Sequence, residues 1–264
     1  MNANNIDNNG LHRFWVDLHI HTVLSPCSEL DMGAPEIVAR CREEGISVVA
    51  ATDHNHIGNA PALRRAANEA NEAGEIEAPI VLSGMEVQSM EDIHVVLIFP
   101  DHGMATEFKE WLWLKMRPIP NNEDVFGYQL IIDHENNVVE QEPILLIQGA
   151  QYSVDEIAER GMACGALLIP AHLDRPAFSY ESVLGQLPES FPCSAIELSP
   201  GVSHTDLLKW KERYPDRTIV RSSDAHKISS ISRSRCTPML LAEPSFEEIE
   251  LALQNRMGRK ILFP

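Results

Sequence analysis

The sequence predicts an α/β fold, either a barrel or a doubly wound parallel sheet. Three observations carry this reading. Seven short β-rich runs alternate with segments of helical periodicity along most of the chain. Several helical segments open or close on capping residues, which fixes where the chain turns back. His, Asp or Glu stands at the end of nearly every strand-like run, the place where parallel α/β folds gather their functional side chains.

Taken in order, residues 14–19 (FWVDLH) read as a strand. A helix follows over 34–44, with Pro35 near its start, Ile37, Val38 and Cys41 on one face and Gly45 after its end. Residues 46–52 form a second strand, and an Ala-rich helix over 60–73 stops at Gly74. Residues 79–87 and 93–99 are a third and fourth strand, closely linked. The alternation then breaks. Residues 104–116 predict an aromatic amphipathic helix, and 129–147 a hairpin turning at Asn136 and Asn137. The stretch 101–150 therefore reads as an insertion, a lid or a dimer surface. Ser153 and Glu156 make a capping-box start to a helix near 154–163. Strands follow at 166–171, 194–199 and 218–223, with helices near 204–213 and 246–256 after the last two. Ser245 and Glu248 form a second capping box, with Gly258 closing that helix.

With 264 residues and 44% hydrophobic content, the chain can bury one large core. Residues 1–13 are polar and Asn-rich and read as a loose leader, leaving 14–264 as a single domain. The leader lacks the basic and apolar regions of a signal peptide, and no apolar run reaches membrane-spanning length, so a cytoplasmic protein without membrane contact is expected. The five cysteines are scattered and odd in number, which suits free thiols. The formal net charge of −18 repels polyanions, so long nucleic acid is not expected as a partner, whereas a small anionic substrate met by local cations is allowed. Oligomeric state is not readable.

The strand ends carry the chemistry. His19 and His21 alternate at the end of the first strand and should project to one side. Asp53 and His54 follow the second strand, Glu86 ends the third, His94 opens the fourth, His172 follows the fifth, and Asp224 and His226 follow the seventh. Each has an ordinary structural explanation alone. Together they would place repelling carboxylates among imidazoles, a conflict that divalent cations resolve. Mixed imidazole and carboxylate donors suit Zn, Mn or Fe better than Ca or Mg.

The ordered set "DLHIHT…TDHN…GMEV…IHVV…PAH…SDAH" closely resembles the PHP (polymerase and histidinol phosphatase) superfamily of metal-dependent phosphoesterases, over residues 15–100 and 164–230. The resemblance implies a distorted (β/α)7 barrel with an inserted helix and hairpin, and two to three divalent transition metals at one face. It makes His19, His21, Glu86 and Asp224 ligands of one metal, with Glu86 bridging to a second held by His94 and His172, and His54 and His226 serving a third. The family usually carries an Asp where this chain has Pro26, so the third site is expected to be weak or empty, or completed by Glu29, Asp31 or Cys27.

The implied activity is hydrolysis of a small phosphate ester, a nucleotide or bisphosphate among the candidates, by attack of a metal-bridging hydroxide. His54 or His226 could protonate the leaving oxygen, Asp53 should orient a ligand, and Arg175 is the best candidate for a phosphate clamp, with Lys227 weaker. The alternatives are a metal-dependent amidohydrolase, which also begins on His-x-His, and a non-catalytic metal-binding module.

Overall fold

The computed structural model describes residues 10–74, 77–193 and 195–262. In chain order its elements are β1 (His12–Ile20), α1 (Ala34–Glu44), β2 (Val48–Ala51), α2 (Ala60–Ala73), β3 (Ile80–Gln88), β4 (His94–Phe99), α3 (His102–Trp113), α4 (Glu123–Phe126), β5 (Leu130–Ile132), β6 (Val138–Gln141), α5 (Val154–Ala163), β7 (Leu167–Pro170), α6 (Tyr180–Leu184), β8 (Ala195–Leu198), α7 (His204–Arg213), β9 (Thr218–Arg221), β10 (Thr237–Leu241), α8 (Phe246–Leu253) and β11 (Lys260–Ile261). No helix among the described residues is long and apolar enough to cross a membrane.

The main sheet has the order β11-β10-β1-β2-β3-β4-β7. β1, β2 and β3 run parallel, while β4 is antiparallel to both β3 and β7. This sheet curls into a half-barrel. The parallel pair β8–β9 forms a separate small sheet, with β8 beside β7 and a bridge from Ile20 to Ala225 linking the chain after β9 back to β1. Val16, Leu18, Val48, Ala50, Leu82, Val96, Ile98, Ile169 and Val220 meet in one buried cluster enclosed by these strands. A second apolar layer forms under α1 and α2, and a third under α3 and α5.

Seven successive β/α units are therefore not what the chain builds. The reversal at β4 comes from the short link after β3, which allows a hairpin but not a crossover. β10 and β11, which the sequence reading missed, extend the sheet beyond β1 as antiparallel strands. The leader expected over 1–13 lies outside the described residues as far as residue 9. Beyond that it is not loose: Leu11 is buried, and His12 and Arg13 pair with Leu241 and Leu240. Ser194, the first residue of the expected sixth strand, also lies outside the described residues.

Helix boundaries follow their caps. α1 ends at Gly45, whose φ of 64° lets its N–H return to the Arg42 and Cys41 carbonyls. The Ser153–Glu156 capping box forms in full. The second box is only half made. Ser245 accepts the Glu248 N–H, but the Glu248 carboxylate turns to the Ala242 N–H and to Arg259. α8 ends at Leu253, so Gly258 does not close it.

Within 101–150, α3 buries Ala105, Phe108 and Leu112 in the common core and belongs to the body of the fold. The β5–β6 hairpin is tied down at both ends. Asn136 at its turn accepts the Ala34 N–H at 3.0 Å and so caps α1, where Gly33 has no side chain to do so. Leu130 N–H binds the Val23 carbonyl at 3.0 Å, fastening the hairpin to the loop after β1.

Candidate metal centre

The site begins with an irregularity in β1. Leu18 faces the enclosed core, yet Ile20 packs in the layer under α1 and α2, so the alternation slips between them. Thr52 holds the slip in place, accepting the Ile20 N–H at 3.1 Å and donating to the Ile20 carbonyl at 3.0 Å. His19 and His21 both turn inward as a result, and both are fully buried. Glu86 enters from β3. The reversed β4 starts where β3 ends, with His94 paired to Gln88, which brings His94 to the same rim. His54 follows β2, His172 follows β7, and Asp224 and His226 follow β9. Three of the loops hold non-glycine residues at positive φ: Asn55 at 50°, His172 at 30° and Asp224 at 47°. Such backbone strain gathers where a structure must aim side chains at a site.

All eight expected ligands therefore converge. Glu86 Oε1 lies 2.9 Å from His94 Nδ1 and 3.3 Å from both His19 Nε2 and His172 Nε2. Its Oε2 lies 3.0 Å from His54 Nδ1 and 3.4 Å from His21 Nε2. Asp224 Oδ1 lies 3.3 Å from His21 Nε2, 3.5 Å from His19 Nε2 and 3.6 Å from His226 Nδ1. A cavity of about 350 Å³ opens on the cluster, lined by His54, Glu86, His94, His172, Asp224 and His226 with Arg175 and Phe178.

The hydrogen-bond partners fix where the protons sit. Ser25 Oγ donates to Asp53 at 2.7 Å, so it can only accept from His21 Nδ1, 3.0 Å away. His19 Nδ1 faces the Glu197 carboxylate at 3.0 Å and must also donate. With both Nδ1 atoms protonated, the two Nε2 atoms face each other 3.2 Å apart beside two carboxylates, a contact relieved by positive charge between them, either a proton taken up by His19 or a metal cation. Elsewhere in the cluster His94 Nε2 and His172 Nδ1 are buried without a hydrogen-bond partner, and His54 Nδ1 is near Glu86 without hydrogen-bond alignment. The donor set of imidazole nitrogen and carboxylate oxygen fits a divalent transition metal.

Electrostatics describe the same competition for protons. Burial would raise Glu86, but His94, His19 and His54 together hold it well below the usual carboxylate range. Burial would lower His19, but Glu197, Glu86 and Asp224 pull it well above its ordinary value. His21 moves the opposite way, depressed by burial and by the neighbouring His226 and His54 rings. The difference lies behind the rings, where His19 has a carboxylate and His21 a hydroxyl.

Asp53 accepts from Thr22 N–H at 2.8 Å, Thr22 Oγ1 at 2.7 Å and Ser25 Oγ at 2.7 Å, and reaches His21 through Ser25. Arg175 stands at the cavity, half-exposed, with its guanidinium 2.5 Å from Asp224 Oδ2. Lys227 is exposed and does not line the cavity. Glu197, which sequence reasoning missed, is buried and also accepts the His172 N–H at 3.1 Å. Its signal was available, a lone carboxylate inside the apolar run "AIEL".

No family model matches this chain, and no curated protein matches it. Solved structures do match. The lesion-specific endonuclease PfuEndoQ from Pyrococcus furiosus superposes with a TM-score of 0.68 at 21% identity, covering 96% of this chain and 58% of its own. Endonuclease Q in complex with a 27-mer duplex substrate, an abasic lesion at its active site, gives a TM-score of 0.66 at 21% identity, covering 95% and 59%. A two-domain protein from Bacteroides vulgatus, containing a predicted PHP-like metal-dependent phosphoesterase, gives 0.53 at 16% identity, covering 97% and 66%. The chain shares its fold with these structures, one of which contains a predicted PHP-like metal-dependent phosphoesterase. It spans about three-fifths of the length of the two endonuclease chains.

One expectation is overturned here. The acidic composition predicts that long nucleic acid is not a partner, yet a protein of this fold, Endonuclease Q, holds a duplex substrate with an abasic lesion at its active site. Net charge sums the whole surface, whereas a polyanion responds to the local field where it docks, so −18 excludes nothing at the mouth of this cavity.

Proposed function

We propose that this chain is a metal-dependent phosphoesterase. The observation that carries the reading is the Glu86 carboxylate enclosed by the imidazoles of His19, His21, His54, His94 and His172, all within 3.4 Å. In this reading His19, His21, Glu86 and Asp224 hold one divalent ion, and Glu86 is shared with a second held by His94 and His172. Zn, Mn and Fe all suit the donor set. Bound cations supply Lewis-acid charge for the phosphoryl oxygens and for an attacking water.

The chain's own residues do the positioning. Glu197 and the Asp53–Ser25 pair lock His19 and His21 in the tautomer whose Nε2 faces inward. Arg175 neutralises the outer oxygen of Asp224 and offers its remaining N–H groups to a phosphate at the cavity mouth. His54 and His226 border the cavity, and either ring, when it holds no cation, can pass a proton to the leaving oxygen. The cavity volume admits one phosphoryl group with its sugar, whether free or part of a strand.

The test is hydrolysis by protein stripped of metal and reloaded with Mn, Zn or Fe(II). Substrates should include a labelled duplex with one abasic site, nucleotides, sugar phosphates and aryl mono- and diesters. Phosphoester cleavage that is lost on chelation and in Glu86→Gln supports the reading. Loaded protein that is inert across this panel, or that hydrolyses amides instead, overturns it.

A further inference from the structure

Phe178 lines the cavity beside Arg175, Pro176 and Ala177. It is a large apolar side chain left 46% exposed. Its backbone φ is 58°, a region where the Cβ of a bulky residue crowds the chain. Five of the seven other non-glycine residues at positive φ among the described residues are Asn or Asp, which tolerate it. A phenyl ring half in water gains little from burial, so the stability of the fold does not account for a strained backbone that carries one.

The loop holds this ring in one place. The Phe178 carbonyl accepts the His94 N–H at 2.9 Å, and the Arg175 N–H binds the His172 carbonyl at 2.9 Å. Ser179 Oγ donates to the Arg175 carbonyl at 2.7 Å and accepts the Ser182 N–H at 3.1 Å, capping α6. Asp174 Oδ1 accepts the Ser199 N–H at 2.8 Å. The phenyl ring stacks on the His94 imidazole, with centroids 4.9 Å apart and planes 27° apart. His94 in turn faces Glu86 at 2.9 Å, so the phenyl ring stands one imidazole away from the Glu86 cluster. One face of Phe178 is taken up by His94, and the exposed remainder looks onto the cavity.

We infer that Phe178 is a stacking platform for a planar aromatic group that the substrate carries next to its phosphate, a nucleobase. The same short loop then reads both parts of a nucleotide, the phosphate through the Arg175 guanidinium and the flat ring through the phenyl face. Pro176 and Ala177, between them, have no side-chain hydrogen-bonding group, so this wall reads the face of a base and not its edge. It should accept any of the bases, whether in a free nucleotide or turned out of a strand. The inference rests on the proposed function, because it names what accompanies the phosphate in that same site.

The test compares non-hydrolysable phosphonates on the full chain loaded with metal. The probes are the phosphonate analogues of a nucleoside monophosphate and of ribose 5-phosphate, which differ only in the base, and a short single strand with one phosphonate link. Base stacking on an aromatic side chain is worth roughly 5- to 100-fold in affinity. The nucleoside phosphonate should therefore bind tighter than the ribose phosphonate by about that factor. The advantage should vanish in Phe178→Leu, which keeps an apolar side chain without the flat face, and return in Phe178→Trp. Tighter binding of the strand than of the mononucleotide would place the base in a strand, and the reverse in a free nucleotide; either supports the platform. Equal affinity for the two small phosphonates in the native protein would overturn it. So would an equal loss for both in Phe178→Leu with a lowered metal content, since Phe178 would then only cover His94. A base preference in loaded protein that cleaves no phosphoester would uphold the platform and refute the proposed function. Phosphoester cleavage without any base preference would do the opposite.

Discussion

Replacing Glu197 tests whether the inward-facing tautomers are set from behind. Its Oε2 lies 3.0 Å from His19 Nδ1 and accepts the His172 N–H at 3.1 Å, so one buried oxygen serves a proposed ligand on β1 and another after β7. Glu197→Gln keeps the volume but removes the charge. Partners behind metal ligands are worth about 10–100-fold in affinity. That corresponds to about 1.4–2.7 kcal/mol of binding free energy. Glu197→Ala goes further. It strands the buried His172 N–H and should cost the metal-free fold an additional ~1–3 kcal/mol. The assay is chelator competition for metal affinity, alongside denaturant unfolding of the metal-free protein. A third readout separates positioning from simple support. Glu197 is the largest of the carboxylate influences that raise His19, so its loss should lower the His19 titration midpoint in an NMR experiment on metal-free protein. Wild-type affinity together with an unmoved His19 midpoint in Glu197→Gln would refute the reasoning.

Three further outcomes are expected. Gly127→Ala forces a Cβ against the Pro26 carbonyl at a φ of 98°, and should cost about 1–3 kcal/mol in unfolding experiments. An unchanged unfolding midpoint would show that the loop yields freely. Glu248 is held below its ordinary value of 4.5 chiefly by Arg259, so its stabilisation is complete above 4.5 and lost as pH falls through the lower folded value. Glu248→Gln should therefore be less stable than wild type at neutral pH, the gap closing in acid, and a gap that widens in acid would contradict the ion pair. Arg175→Ala should raise KM by roughly tenfold or more, in line with one lost charge-assisted hydrogen bond, with a smaller effect on kcat. An unchanged KM would leave Arg175 as a partner of Asp224 alone.

The sequence was most legible where local chemistry decides the outcome. Gly45 and the Ser153–Glu156 box end and start their helices as expected because backbone φ and a three-residue hydrogen bond need no distant partner. Ser245–Glu248 has the same spacing, but Arg259 and the Ala242 N–H compete for the carboxylate, and both come from elsewhere in the fold. That His19 and His21 share a side follows from simple alternation, but that the shared side faces inward depends on the slip after Leu18, which Thr52 holds in place. His94 was expected among parallel strand ends, and reaches the rim because its strand runs backwards. Strand polarity and register are long-range properties, invisible to periodicity. Glu197 sits inside an apolar strand run, and its role depends on a neighbour 178 residues away, which no local pattern reveals.

The failure of the charge argument has a physical cause in the same cluster. Without metal, the buried carboxylates Glu86, Asp224 and Glu197 are offset by Arg175 and by the protons that the raised His19 and His54 rings take up, so the cavity offers a phosphate little net attraction. Two divalent cations would make it positive within a few ångströms, while hardly altering the total of −18. A phosphate, free or in a strand, then meets a positive cavity set in a negative surface. Beyond a Debye length of about 8 Å at physiological salt the remainder of that surface is largely screened. Phosphate affinity should accordingly depend on metal loading far more steeply than on salt. Calorimetric titration of inorganic phosphate into metal-free and loaded protein checks this directly, and equal affinity in the two forms would show that the cavity's sign is not set by its cations.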